Sequence, residues 1–409
     1  MKTDNQESKI NKYITKQEGS VKFLLHEIDY DTIPSKSMNV FYNKTMEINR
    51  DISILAHIAY SKIFDQESLI VVDSMAASGI GSIRLLKNTK NIEKIYLNDI
   101  NPVAVELIKS NLELNKIEIK KVEVLNKDAN LLFSEISRSS ALPDVISIDP
   151  FGTPNLYIDS AFKAVKKDKG LLCITATDTA VLFGIKPKVC IRKYMAKPLH
   201  TEYCKEIGAR ILISFVSRIA NVNNLGIIPL LTFYSNHFIR IFVISFRGKS
   251  NIVKNLPKSY GYIIHCKSCG NRLSIIENLL KIPKSCPLCL SKKHLSFSGP
   301  LWVGELHQKS YLEDLSLLNE NFNFKNKNRI RKILKFALNE INMPISYYNI
   351  HKISQQLKLS SIPKLEDLIK LIEEKGYKAS RTHFDFISIK TDMNIDELKK
   401  ILKQNDHLN

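Results

Sequence analysis

The feature that most constrains this chain is the regular alternation, from Ser68 to Thr175, of short apolar runs with amphipathic stretches. The runs are Ser68-Leu69-Ile70-Val71-Val72, Ile95-Tyr96-Leu97, Val122-Glu123-Val124, Val145 to Ile148 and Leu171-Leu172-Cys173-Ile174-Thr175. Runs of this length, rich in β-branched residues, predict strands, and stretches such as Pro102 to Asn115 predict helices between them. A strand–helix–strand alternation sustained this long predicts an α/β fold, a doubly wound and mainly parallel sheet.

On either side the pattern is weaker. Residues 1 to about 40 are polar and mixed, with a β-like stretch at Val21 to Leu25, and an amphipathic helix is predicted from Met46 through Ile54, Leu55, Ile58 and Ala59. The β-branched and aromatic blocks Arg210 to Ser217, Leu230 to Phe233 and Phe238 to Phe246 are expected to be strands completing the sheet. From Asn251 to Gly261 the chain turns polar and basic, which places a domain boundary at 260/261. Beyond it lie a cysteine-bearing module at 266–289 and a basic tail from about Asn326. Helical patterns at Ile330 to Ile341, Tyr347 to Leu357 and Leu365 to Gly376, followed by a β-like Phe384 to Ile389, predict a winged-helix-type unit within a C-terminal α+β domain.

Three of the predicted strands run into acidic residues: Asp73, Asn98-Asp99 and Asp128, the last followed by Ala129. Singly, each is a common helix cap. In register at strand ends, they supply carboxylate acceptors for ribose hydroxyls and an adenine amine, while Gly79 and Gly81 let the backbone approach a ligand closely. The stretch lacks G-x-G-x-x-G, which argues against a dinucleotide. The arrangement resembles that of class I S-adenosylmethionine-dependent (Rossmann-like) methyltransferases. The fourth strand ends in Asp149-Pro150-Phe151-Gly152. Asp-Pro after a strand is also an ordinary turn, but a carboxylate, a residue without an N–H donor and an aromatic face together suit a planar amine such as the exocyclic group of a nucleobase.

Sixty Lys+Arg against forty-one Asp+Glu leave a formal charge of +19, spread along the chain. A field of that sign attracts polyanions, nucleic acid first among them, although a lysine-rich compositional bias produces the same count. Seven cysteines are too few for a disulfide framework in 409 residues. Cys266-x2-Cys269 and Cys286-x2-Cys289, sixteen residues apart, instead fit a structural tetrathiolate zinc site, with two redox pairs as the alternative. Lys267, Lys281, Lys284, Lys292 and Lys293 are expected to favour the thiolates, and Cys173, Cys190 and Cys204 to be buried apolar residues. With neither a signal-like segment nor an apolar run long enough to span a bilayer, a soluble, cytoplasmic protein without a membrane partner is expected, and no obligatory protein partner is evident.

Several short stretches recur here in the order of one family. These are Phe41-Tyr42-Asn43 with Met46 and Asn49-Arg50-Asp51, the Asp73 to Arg84 loop, Asn98 to Pro102, Asp149 to Gly152, Ala176 to Ala180, Arg192-Lys193-Tyr194, and Ser380 to Phe384. Over almost its full length the chain resembles the archaeal-type tRNA guanine-26 N2-dimethyltransferases. The resemblance implies S-adenosylmethionine as methyl donor and tRNA as partner, with N2-methyl- and then N2,N2-dimethylguanosine as products. It also implies that Arg50, Asp99, Asp128 and Ala129 contact the donor, Arg50 through the donor's carboxylate. Asp149 and the Pro150 carbonyl would accept the two N–H bonds of the amine while Phe151 stacks on an extruded base. Family members usually carry an arginine where this chain has Gly81; backbone N–H groups at the helix start, or Arg84 one turn on, would take its place. Two other readings remain: an amino methyltransferase acting on adenine N6 or another base, and a non-catalytic zinc-ribbon nucleic-acid binder.

Overall fold

The computed structural model describes residues 13–30, 37–259, 261–276 and 283–406. Tyr260, at the expected boundary, and Lys281, of the cysteine module, lie outside them. At the centre is a seven-stranded sheet of β1 (Leu69–Asp73), β2 (Ile92–Asn98), β3 (Val122–Leu125), β4 (Val145–Ile148), β5 (Leu171–Ala176), β6 (Leu225–Ser235) and β7 (Phe238–Arg247). Their spatial order is β3-β2-β1-β4-β5-β7-β6. The first five are parallel, and β7 enters antiparallel between β5 and β6. This is the Rossmann-like α/β fold expected, and its order reverses between β1 and β4, the crevice where such sheets bind ligands.

Local chemistry sets the helices that flank the crevice. Asn101 caps the Pro102–Leu114 helix, accepting from the Val103 N–H at 3.0 Å with Pro102 in the first turn. Asp128 caps Ala129–Ile136 in the same way, accepting from Asn130 at 2.9 Å and Leu131 at 3.2 Å. The β1 helix, Ile80–Asn88, starts instead from Gly79 at φ +75°. A Cβ there would meet Ile108 Cγ1 at 3.2 Å, so glycine serves both the left-handed turn and the packing.

One expectation fails in secondary structure. Arg210 to Ser217 is not a strand but part of the helix Cys204–Val222. Ile207, Ile211, Leu212, Ile213, Phe215 and Val216 are all buried, because the helix is sandwiched between the sheet and the C-terminal segments. Burial on nearly every side removes the polar stripe by which a helix announces its period, leaving a β-branched run that reads as a strand.

After the Lys249–Ser259 helix come two small sheets. Gly261–Cys266 pairs antiparallel with Arg272–Ile276 on one side and Leu295–Leu301 on the other. In the last third the order is helix Lys327–Asn339, strand Tyr348–Asn349, helices Ile350–Leu357 and Leu365–Glu374, strands Ala379–Arg381 and Ser388–Thr391, and helix Ile395–Asp406. The strand Ser388–Thr391 lies between the other two. The β-like stretch predicted at Phe384 to Ile389 forms strand only from Ser388 onward, Phe386 and Ile387 lying in the turn before it.

The C-terminal segments are seated firmly on the sheet domain. Helices Lys309–Asn321 and Lys327–Asn339 share a core with the long helix Glu47–Ile63, and the Tyr311 hydroxyl donates to the Ala56 carbonyl at 2.8 Å. The Arg210 guanidinium holds the Trp302 and Gly304 carbonyls at 3.0 and 2.9 Å. Arg272 is stacked between the Tyr203 and Tyr348 rings at 4.3 and 4.0 Å from their centres. Among the described residues no helix is long and apolar enough to cross a membrane.

Candidate active site

Three clefts open at the carboxyl ends of β1, β2 and β4, and Asp149 and Phe41 stand in the wall of all three. The largest, about 860 Å³, runs between Asp99, Asp128 and Ala129 on one side and Pro150, Phe151 and Tyr157 on the other. A smaller one of about 120 Å³ is bounded by Asp73, Gly81, Arg50, His57 and Arg240. The third, about 280 Å³, has Pro150, Phe151, Thr45, Thr177 and His237 around its mouth. Most of the residues singled out from sequence are thus brought together. Gly79 is the exception: it borders none of these clefts and acts through the turn it makes.

The Asp149 to Gly152 loop is fixed from behind by the segment after β5. The Gly152 N–H donates to Thr177 Oγ1 at 2.7 Å, and the Thr177 N–H returns to the Gly152 carbonyl at 2.9 Å. Thr153 Oγ1 reaches the Tyr194 hydroxyl at 3.1 Å, Tyr194 donates to Asp178 at 2.8 Å, and the Asn155 amide holds the Lys193 carbonyl at 2.7 Å. These bonds give structural work to the Ala176 to Ala180 and Arg192 to Tyr194 stretches. Phe151 is left 44% exposed, its ring meeting Phe41 edge-on at 4.7 Å between centres. One face of an aromatic ring is therefore held open at the junction of two clefts.

Burial raises the enclosed carboxyls, each against different partners. Burial pushes the Asp149 carboxyl up, opposed first by the Arg240 cation, then by a hydrogen bond from Thr175 and the charge of Arg50. The Asn49 amide also approaches Asp149 at 3.4 Å. Burial lifts Asp73 to about 6, against a hydrogen bond from Ser82, with the nearby Asp149 charge adding to the rise. Asp99 is raised by burial while the N–H groups of Asn101 and Ala77 bond it at 2.9 and 2.8 Å. Asp99 and Asp128 are thus held by backbone donors at the rim of the largest cleft.

Arg50 does border the smallest cleft, but its guanidinium is paired with Glu18 of an N-terminal hairpin, Tyr13–Glu18 against Val21–His26, with Nε at 2.9 Å from Glu18 Oε2. Arg84 does not reach Gly81's side of the loop. It is buried between Glu18 and Asp51, bonding Glu18 at 3.1 Å and Asp51 more closely. A Cβ on Gly81 would meet the Arg50 stem at 3.7 Å, an ordinary contact.

Sequence reasoning missed Arg240, Thr175, Thr45 and His237. Arg240 had a signal: it interrupts the apolar run Phe238-Ile239-Arg240-Ile241-Phe242, and a charge inside a buried strand requires a reason. The others carry no pattern, because only the fold brings their segments to the mouth.

Away from the clefts, the four predicted cysteines do converge. Cys266 and Cys289 Sγ are 3.6 Å apart, Cys269 and Cys286 3.7 Å, and all four sulfurs lie within 4.8 Å of one another. A tetrahedron with metal–sulfur bonds of about 2.3 Å has edges of about 3.8 Å, so the set fits a tetrathiolate ion. For Cys286, burial opposes the thiolate, while hydrogen bonds from the Cys289 and Leu288 N–H groups and from the neighbouring Cys269 and Cys289 thiols lower it, and its neighbour Cys269 is pushed up, first by burial. Cys173 and Cys190 are buried as expected, and Cys204 is partly so. A second cluster, His307, Glu340 and His383, is wholly buried beside Lys390, whose ammonium lies 3.4 Å from Glu340 Oε2. The Thr232 N–H donates to His307 Nδ1 at 3.4 Å in the same cluster.

Comparison with known proteins agrees with this geometry. The family model for N2,N2-dimethylguanosine tRNA methyltransferases matches residues 19–403. A tRNA (guanine(26)-N(2))-dimethyltransferase of Methanosphaera stadtmanae is 38% identical over 94% of this chain and 95% of its own. The Aquifex aeolicus tRNA (guanine(26)-N(2)/guanine(27)-N(2))-dimethyltransferase is 34% identical, covering 95% of each. The solved structure of Trm1 from Pyrococcus horikoshii with S-adenosyl-L-methionine superposes with a TM-score of 0.79 at 32% identity, over 95% of this chain and 99% of that one. The chain belongs to the N2,N2-dimethylguanosine tRNA methyltransferase family.

Proposed function

We propose that this protein transfers methyl groups from S-adenosylmethionine to the exocyclic N2 of guanine 26 in tRNA, the substrate named for its relatives. The observation that carries the reading is the meeting of three clefts at Asp149, which lets one carboxylate face both a donor and an acceptor. When bound, S-adenosylmethionine supplies an electrophilic methyl group on a sulfonium. Asp99 and Asp128 are suited to ribose hydroxyls and Ala129 to the adenine edge, with Gly81 and Arg50 beside the narrower cleft for the amino-acid end.

The acceptor guanine would enter the third cleft, with Phe151 and Phe41 offering aromatic faces. Asp149 and the Pro150 carbonyl accept the two N–H bonds of the amine, drawing its lone pair out of conjugation and toward the methyl group. The proton becomes acidic only as the N–C bond forms, so Asp149 takes it without being a strong base. A base inside folded tRNA must be extruded to reach this depth. Residues 1–260 would carry the chemistry, and 261–409, with zinc at Cys266, Cys269, Cys286 and Cys289 and a winged-helix-like tail, would hold the tRNA body, aided by the net charge of +19. The helices at 309–339 share the core of the first part, which supports a fixed spacing between the two.

Transcripts that differ only at position 26 test the reading. Guanine there is expected to accept methyl groups, and inosine, which lacks the exocyclic amine, is not. Equal methylation of both would show that another atom is the acceptor.

A further inference from the structure

Arg240 is a buried cation without an anionic partner. It is 2% exposed on β7, paired in register with Thr175 of β5. Its Nη1 donates to Thr175 Oγ1 at 2.5 Å, and Nη2 lies 3.3 Å from Ser147 Oγ and 3.5 Å from Ser53 Oγ, while Nε has no partner. Among the described residues it closes no ion pair. Desolvating a guanidinium without a carboxylate beside it is costly, so a field nearby must compensate. That field comes from the cleft it helps to wall, where Asp73 and Asp149 both stand.

We propose that Arg240 is a positioning residue for methyl transfer, holding the Asp149 carboxylate ionised and aimed at the acceptor amine through the Thr175 hydroxyl. Thr175 Oγ1 accepts from Arg240 at 2.5 Å and so keeps its own proton free for the Asp149 carboxylate. The carboxylate is thereby fixed as an acceptor, which is what an N–H donor requires. Two carboxylates enclosed in one site would otherwise favour a shared proton, and a protonated Asp149 would present a donor to the amine. The other charged or titratable groups around Asp149 do not replace this function. Arg50 is committed to Glu18, and burial holds His57 down to about 4, neutral beside Arg240. Lys193 pairs with Asp178 at 3.6 Å, and His237 borders only the outer cleft.

This inference rests on the reading of Asp149 as the amine's acceptor, and single-turnover rates on the full chain with saturating S-adenosylmethionine and a guanine-26 transcript separate the two. In Arg240→Met the acid limb of the rate–pH profile is expected to move up by about one unit or more, with the lost rate regained at high pH. Arg240→Lys should return most of that shift, and Thr175→Val, at a residue bordering none of the three clefts, should give a smaller shift in the same direction with donor affinity by calorimetry unchanged. An Arg240→Met limb identical to the wild type overturns the proposal whatever happens to the rate. If that variant does not fold, an unchanged limb in the near-isosteric Thr175→Val overturns it instead. Asp149→Asn is the control. Inactivity there with an unshifted Arg240→Met limb removes only the role of Arg240, whereas full activity in Asp149→Asn removes the acceptor reading itself.

Discussion

Arg84 shows how differently one residue type is used a few ångströms from a ligand cleft. One turn beyond Gly81 it was one of two expected stand-ins for a family arginine, the backbone N–H groups of the helix start being the other, yet it is 2% exposed and bonded to Glu18 and Asp51. Glu18 also takes Arg50, so the hairpin, the long helix and the β1 helix are tied by one ionic network. Arg84→Ala would leave two enclosed carboxylates without that cation, a loss of about 3 to 5 kcal/mol in denaturant unfolding. Donor affinity, measured above the threshold of folding, should change by less than a factor of about three, since less than about 0.7 kcal/mol is then involved. A large fall in affinity with normal stability would show instead that Arg84 contacts the donor.

At the scale of elements, what was legible and what was not follows from which faces are buried. The strands β1, β4 and β5 were readable because a parallel strand covered on both sides is a short, nearly unbroken apolar run, while β2 and the half-buried edge strand β3 were legible from their apolar and β-branched residues, and the acidic ends followed directly. The Cys204–Val222 helix was misread for the converse reason, since enclosure erased its polar face. The cysteine module was readable from spacing alone, and its sulfurs converge as a tetrahedral ion requires. Cys266→Ser is expected to reduce the metal content from about one equivalent to near zero. It should also weaken tRNA binding at least tenfold, while calorimetry of S-adenosylmethionine binding stays close to wild type. Metal-free protein that keeps full tRNA affinity would contradict the part assigned to this module.

Over the whole molecule, the residues lining the three clefts come from segments as distant as Phe41, Asp99, Asp149, His237 and Arg240, so sequence exposed those with a strand-end pattern and concealed those without. The same assembly makes stability depend on pH. Burial lowers His57 and His265 to about 4 and His307 well below its ordinary value, so all three are neutral when folded. Unfolded, they take up protons near about pH 6.5, and their contribution is complete above that value. It is lost as pH falls toward about 4, at about 1.4 kcal/mol per unit for each histidine. Glu340, depressed despite burial by His383 and Lys390, adds a further loss below the unfolded carboxylate range of about 4.3. Chemical unfolding from about pH 8 to about pH 5 should show this decline, and a flat profile would mean that these side chains are solvated.

The account as a whole turns on one amine and one carboxylate. Its most direct measurement is mass analysis of nucleosides from unmodified tRNA incubated with S-adenosylmethionine and either the wild-type protein or Asp149→Asn. N2-methyl- and N2,N2-dimethylguanosine with the wild type, and loss of both in the variant while it still binds the donor, are the predicted result. Methylated adenosine as the product, or undiminished dimethylguanosine from Asp149→Asn, would contradict it.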